Sequence, residues 1–124
     1  MPVTWQLQGS IVVISAVGEY PASELKHALV DAATDSHFHK GAPILFDARE
    51  SQVNLLPNDV EQRVAMLRTL PDRGYANRAA VLLGSELYKF GIARMLQMQL
   101  EIHHFHLEIF RDRDEALRWL AQAA

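Results

Sequence analysis

Residues 79–109 run Ala79-Ala80-Val81-Leu82-Leu83-Gly84-Ser85, continue through a helical stretch from Glu86 to Ile102, and close on Phe105-His106-Leu107-Glu108-Ile109. Five apolar residues in succession leave no wet face, the pattern of an interior parallel strand covered by helices on both sides. Gly84-Ser85 then provides a turn and a helix cap. Beyond the helix, Phe105, Leu107 and Ile109 alternate with His106 and Glu108, as in a half-buried strand. A strand, a helix and a second strand in that order make a βαβ unit, and its two strands are parallel.

Reading outward from this unit repeats the pattern. Asn58 and Glu61 have the spacing of a capping box, and Val60, Val64 and Leu67 form the buried stripe of a helix that Pro71-Asp72-Arg73-Gly74 stops. Pro43-Ile44-Leu45-Phe46-Asp47 reads as a short, fully buried strand, with Phe46 to Val53 leading out to a loop. Pro21 opens a helix with Leu25, Ala28, Leu29 and Ala32 on one face, ending near Ser36. The β-branched run from Ile11 to Val17 predicts a strand buried on both faces. Val3, Trp5 and Leu7 predict an edge strand with one wet face, joined to it through Gly9-Ser10 as an antiparallel hairpin. At the other end, Asp112 and Glu115 cap a last helix carrying Ala116, Leu117, Trp119 and Leu120. The order β-β-α-β-α-β-α-β-α predicts one α/β domain over residues 1–124, with a mainly parallel sheet, an antiparallel N-terminal edge strand and four helices.

Composition narrows the function classes. Among 124 residues, 49% are apolar and 22% charged, enough to fill a core and cover it. No cysteine is present, so disulfides, thiolate metal sites and cysteine nucleophiles are excluded. A formal charge of -3, with Lys and Arg scattered, gives no footprint for nucleic acid or an anionic membrane. No apolar run approaches the roughly 20 residues of a membrane span, and Met1-Pro2-Val3-Thr4-Trp5 lacks a basic leader. A cytoplasmic protein without membrane insertion is expected.

Three stretches resemble the SpoIIAA-like, STAS-type family. They are Asp47 closing the strand Ile44-Leu45-Phe46, Phe90-Gly91-Ile92-Ala93-Arg94-Met95 within a helix, and Phe110-Arg111-Asp112-Arg113-Asp114-Glu115-Ala116-Leu117-Arg118-Trp119-Leu120 at the end. The resemblance implies a βα superhelical fold related to anti-sigma-factor antagonists and, more distantly, to CRAL-TRIO lipid-binding domains. It implies regulation by protein or ligand binding, not catalysis. Anti-sigma-factor antagonists carry Asp-Ser-Ser-Gly or Asp-Ser-Thr-Gly at a helix start, with one hydroxyl phosphorylated. Here the comparable stretch is Asn54-Leu55-Leu56-Pro57-Asn58, which has no hydroxyl, and Ser51 is the nearest one.

In open α/β sheets ligands collect beyond the carboxyl ends of the strands, where helix N-termini point unpaired N–H groups. Gly18-Glu19-Tyr20, Asp47-Ala48-Arg49, Gly84-Ser85 and Arg111-Asp112 are expected at that edge. A small apolar or anionic ligand there would use the Ser85 amides, an Arg49 clamp and the Tyr20 hydroxyl. On the alternative reading Gly84-Ser85 is only a cap and Arg49 pairs with Asp47 or Glu50. His37 with His39, and His103 and His104 with His106, have no third element spaced to complete a metal site. No catalytic motif, metal or cofactor is expected.

The helix from Glu86 to Ile102 is apolar around most of its girth. At 100° per residue Leu87, Tyr88, Gly91, Ile92, Met95, Met98 and Ile102 make a broad face expected to lie on the sheet. Phe90, Leu96 and Leu100 then fall outside, a surplus that predicts a homodimer or protein-partner interface, the alternative being that a neighbouring helix of the same chain covers them. The sequence thus points to a non-catalytic regulatory or interaction module, with ligand binding at the sheet edge as the alternative.

Overall fold

The continuous apolar run read at the N-terminus is a central strand whose side chains alternate between two cores. Val12, Ile14 and Ala16 enter one, while Ile11 and Val13 enter the other. The computed structural model describes residues 2–52 and 57–122. Its elements are β1 (Val3–Gln8), β2 (Ile11–Gly18), α1 (Ala22–Thr34), β3 (Ala42–Ser51), α2 (Pro57–Arg68), a 3-10 turn (Leu70–Arg73), β4 (Tyr75–Leu82), α3 (Leu87–Ile102), β5 (His106–Phe110) and α4 (Arg113–Ala121). The sheet is ordered β1-β2-β3-β4-β5, with β1 antiparallel to β2 and the remaining pairs parallel. This is the expected α/β architecture, with an antiparallel edge strand and four helices.

The helices divide unequally over the sheet. Leu25, Ala28, Leu29 and Ala32 of α1, Val60, Val64 and Leu67 of α2, and Leu100 of α3 pack with Val12, Ile14, Ile44, Ala79 and Leu107. Ala116 and Leu120 of α4 pack on the opposite face with Val13, Leu45, Ala80 and Leu82. The inner strands β2, β3 and β4 therefore send alternate residues into two dry layers, which is why their sequences show no wet face, whereas β1 and β5 keep one.

Two strands are longer than their local pattern. β3 is expected to end at Asp47 but runs to Ser51, because one extra residue in β3 between Asp47 and Glu50 shifts the register and lets Val17 and Gly18 pair with Glu50 and Ser51. A polar segment extends when a neighbouring strand satisfies its backbone. β4 starts at Tyr75 rather than Ala79. The buried Tyr75 hydroxyl donates to the Leu29 carbonyl of α1, and burial pushes the phenol up to about 12. The proposed Asn58–Glu61 capping box and the Asn54 to Asn58 stretch fall partly or wholly outside the described residues.

The start of α4 follows the expected cap. Asp112 has extended backbone angles, and its carboxylate accepts from the Asp114 amide at 2.8 Å. Asp112→Ala is expected to lower stability by about 1 kcal/mol. A urea midpoint unchanged from wild type would show the cap to be dispensable.

Candidate functional site

The parallel strands follow one another in chain order, so the sheet has no reversal of strand order and no crevice of the doubly wound kind. The space for a ligand lies instead beneath the helices. A cavity of about 110 Å³ lies where α2 and α3 pack on the sheet, with Phe46, Val81 and Leu107 on the sheet side and Met66, Ile92 and Leu96 on the helical side. Its lining is almost wholly apolar, except for Tyr20, Ser51, Arg63 and Lys89.

These four are brought together by the carboxyl end of the sheet and the facing helix. Tyr20 follows β2, Ser51 ends β3, and Lys89 lies in the first turn of α3, after β4. Arg63 extends from α2 with its guanidinium carbon 5.2 Å from the centre of the Tyr20 ring. The Ser51 hydroxyl donates to the Ala48 carbonyl at 2.8 Å. Lys89 Nζ sits 2.8 Å from a Glu86 carboxylate oxygen and 3.4 Å from the Ala48 and Arg49 carbonyls. Lys89 is only 7% exposed and Arg63 9%.

Of the three residues expected to bind a ligand, Tyr20 alone lines this cavity. Arg49 turns outward and clamps Asp47, with Nε to Oδ1 at 2.9 Å and Nη2 to Oδ2 at 2.8 Å. Ser85 is exposed, and α3 is capped one residue later, at Glu86. The anion position expected at Gly84-Ser85 is filled by the protein's own Glu86 carboxylate, whose oxygen would stand 2.9 Å from a Cβ at position 84. The Lys89 ammonium bonded to it holds that carboxyl below its ordinary range.

Arg63 and Lys89 were missed by the sequence reading, yet both leave a trace there. Arg63 falls on the buried stripe of α2, three residues after Val60 and four before Leu67. Lys89 falls on the stripe of Ala93, Leu96 and Leu100. A lone cation at helical spacing within an apolar stripe is the signal. Histidines contribute nothing comparable: His37 is exposed and pairs with Asp35 at 3.2 Å, and no metal-holding group of three is found among the described residues.

The Arg49 clamp makes stability depend on acid. The side-chain hydrogen bonds from Arg49 hold the Asp47 carboxyl below its ordinary value of 3.8. A carboxylate favoured in the folded state stabilises fully above its unfolded pKa and ceases to do so as pH falls through the lowered folded value. Wild-type stability is therefore expected to lose a contribution below about pH 4 that Asp47→Asn never has. Parallel pH–melting curves for the two proteins between about pH 6 and pH 2 would exclude this.

The outer surface of α3 is the second candidate site, and it overturns the expected orientation. Leu100 is 0% exposed, Ala93 is buried and Leu96 is half-buried, so this face meets the sheet. Leu87, Tyr88, Met95, Met98 and Ile102, expected as core, are exposed. Leu100 is thus no interface residue, Leu96 lines the cavity, and Phe90 stays partly exposed with the Arg111 guanidinium carbon 5.9 Å from its ring centre. The reason is tertiary. Gln97 Nε2 donates to the Leu107 carbonyl at 2.8 Å, and Lys89 reaches the Ala48 and Arg49 carbonyls near the end of β3, so two polar anchors fix which way the helix is rolled.

Comparison with known proteins places this geometry in a class. It is an α/β protein with helices on both faces of a five-stranded mixed sheet, and its fold is SpoIIAA-like. A similar solved structure is an uncharacterised protein from the DUF3478 family with a SpoIIAA-like fold, from Shewanella loihica. It matches 96% of this chain and 92% of its own length, with a TM-score of 0.62 and 18% identity. No protein-family model and no curated protein matches the chain. Among the described residues no helix is long and apolar enough to cross a membrane.

Proposed function

We propose that the chain is a non-catalytic interaction module that pairs with a second copy of itself through the outer face of α3. One observation carries the reading: Tyr88, Gly91, Met95, Met98 and Ile102 follow one another at spacings of three and four, on the face of α3 turned away from the sheet. That alternation is the seam of paired helices. With Leu87 79% exposed, Tyr88 54%, Met95 48%, Met98 61% and Ile102 74%, it is a run of large apolar side chains open to water, the kind of surface that marks an interaction site. A standard interface takes about 800 Å² from each partner.

Gly91 favours a helix as the occupant. Glycine inside a helix costs about 1 kcal/mol relative to alanine. A Cβ at this position would meet nothing within 4 Å, so packing inside the chain gives no reason for it. Close approach of a second backbone does. A lipid surface is less suited, since interfacial helices carry a polar face rich in Lys and Arg, and here Arg94 is the one exposed cation on α3 among the described residues. Light scattering tests the reading: twice the monomer mass is expected, and a monomer at every concentration overturns it.

The cavity supports a second reading, a binding domain for a small ligand. Apolar walls with a few polar groups at one end are the usual make-up of such sites.

A further inference from the structure

We infer that the cavity beneath α2 and α3 takes a small organic carboxylate, with the carboxyl group on Arg63 and a short apolar body against Val81, Ile92 and Leu96. This deepens the small-ligand reading and rests on it.

The cavity is lined by a cation largely withdrawn from water. Arg63 is 9% exposed, and no carboxylate ion-pairs with it among the described residues. A cation with only 9% of its surface left to water and no ion pair gains from a counter-charge, and the Tyr20 ring face supplies only part of that gain. A ring also offers no pair of acceptors to the guanidinium fork, whereas a carboxylate does. The neighbouring cation is already satisfied: Lys89 has Glu86 and two carbonyls, so an incoming anion has more to gain at Arg63. Ser51 has committed its proton to the Ala48 carbonyl and is no donor to the ligand. Being 2% exposed, it is also out of reach of a modifying enzyme.

Size restricts the rest of the molecule. An apolar cavity of roughly 150 Å³ holds benzene. The 110 Å³ here therefore suits a body of about six carbons or fewer. Away from Tyr20, Ser51, Arg63 and Lys89 the walls are apolar and bring no partner for hydroxyls or amines along the body, which favours monocarboxylates over sugars, amino acids and phosphates.

The test titrates methyl-labelled protein with hexanoate and with hexan-1-ol, following the methyl resonances of Val81, Ile92 and Leu96. Both probes are expected to shift these signals, with hexanoate binding at least about tenfold more tightly. Arg63→Met should bring hexanoate to the affinity of the alcohol and leave the alcohol unchanged. Arg63→Lys, which keeps the charge and loses the fork, should also weaken hexanoate. Ala93→Leu, which fills the space, should abolish both. Equal affinity of acid and alcohol, or hexanoate binding unchanged in Arg63→Met and Arg63→Lys, overturns the carboxylate assignment while the small-ligand reading stands. No shift with either probe overturns both.

Discussion

Met98→Glu is expected to halve the molar mass of the protein in solution without lowering the stability of the single subunit. Met98 is 61% exposed on the outer face of α3, between Met95 and Ile102 on the same seam. Water solvates a glutamate there in the isolated chain, so the fold tolerates it. In a paired seam the same carboxylate is buried against apolar side chains without a partner, a cost of about 3–5 kcal/mol and a weakening of at least roughly a hundredfold. Gly91→Ala sharpens the test because its two effects have opposite sign. It should raise the stability of the subunit by about 1 kcal/mol through helix propensity. It should also weaken association, by holding the facing backbone away. A Met98→Glu protein with the same mass as wild type, or a Gly91→Ala protein that associates more tightly, would sink the pairing model.

Leu100→Ala carries the other large expected effect, on stability. Leu100 is 0% exposed, packs in the larger core, and its carbonyl accepts from the Phe105 amide where α3 turns into β5. Truncating a buried leucine removes its transfer free energy and leaves a cavity, a loss of about 2–5 kcal/mol. That is a large part of the 5–15 kcal/mol typical of a domain. Met98→Ala, on the same helix but facing out, should change subunit stability by no more than about 0.5 kcal/mol. Urea unfolding of the two variants separates the inner and outer faces of α3. Were Leu100 the interface residue that its place outside the broad apolar arc suggests, its truncation would alter association and spare the subunit.

The elements whose environment is set by one pattern were legible. The buried face of α1, the hairpin of β1 and β2, and the Asp112 cap are written in local spacing and cap chemistry. The site was less legible. Tyr20 was found because it follows the carboxyl end of a strand. Arg49 and Ser85 follow such ends too, but Asp47 holds the first and Glu86 takes the place expected for an anion at the second. Which partner an exposed cation or a helix start takes depends on distances between segments, and spacing along the chain does not contain them.

The amino-acid order by itself determined a mainly parallel α/β sheet, because unbroken apolar runs require cover on both faces and capped amphipathic helices lie between them. It also determined that α3 has more apolar surface than one contact absorbs. Only the tertiary structure decided which side of α3 looks outward, since a helix with two greasy faces fits the sheet either way by pattern alone. Polar anchors to other elements, Gln97 on the Leu107 carbonyl of β5 and Lys89 on those of Ala48 and Arg49 in β3, settle the roll. That roll sets Leu96 and Leu100 inward, frees Met95, Met98 and Ile102, and puts Lys89 beside the cavity that Arg63 also lines.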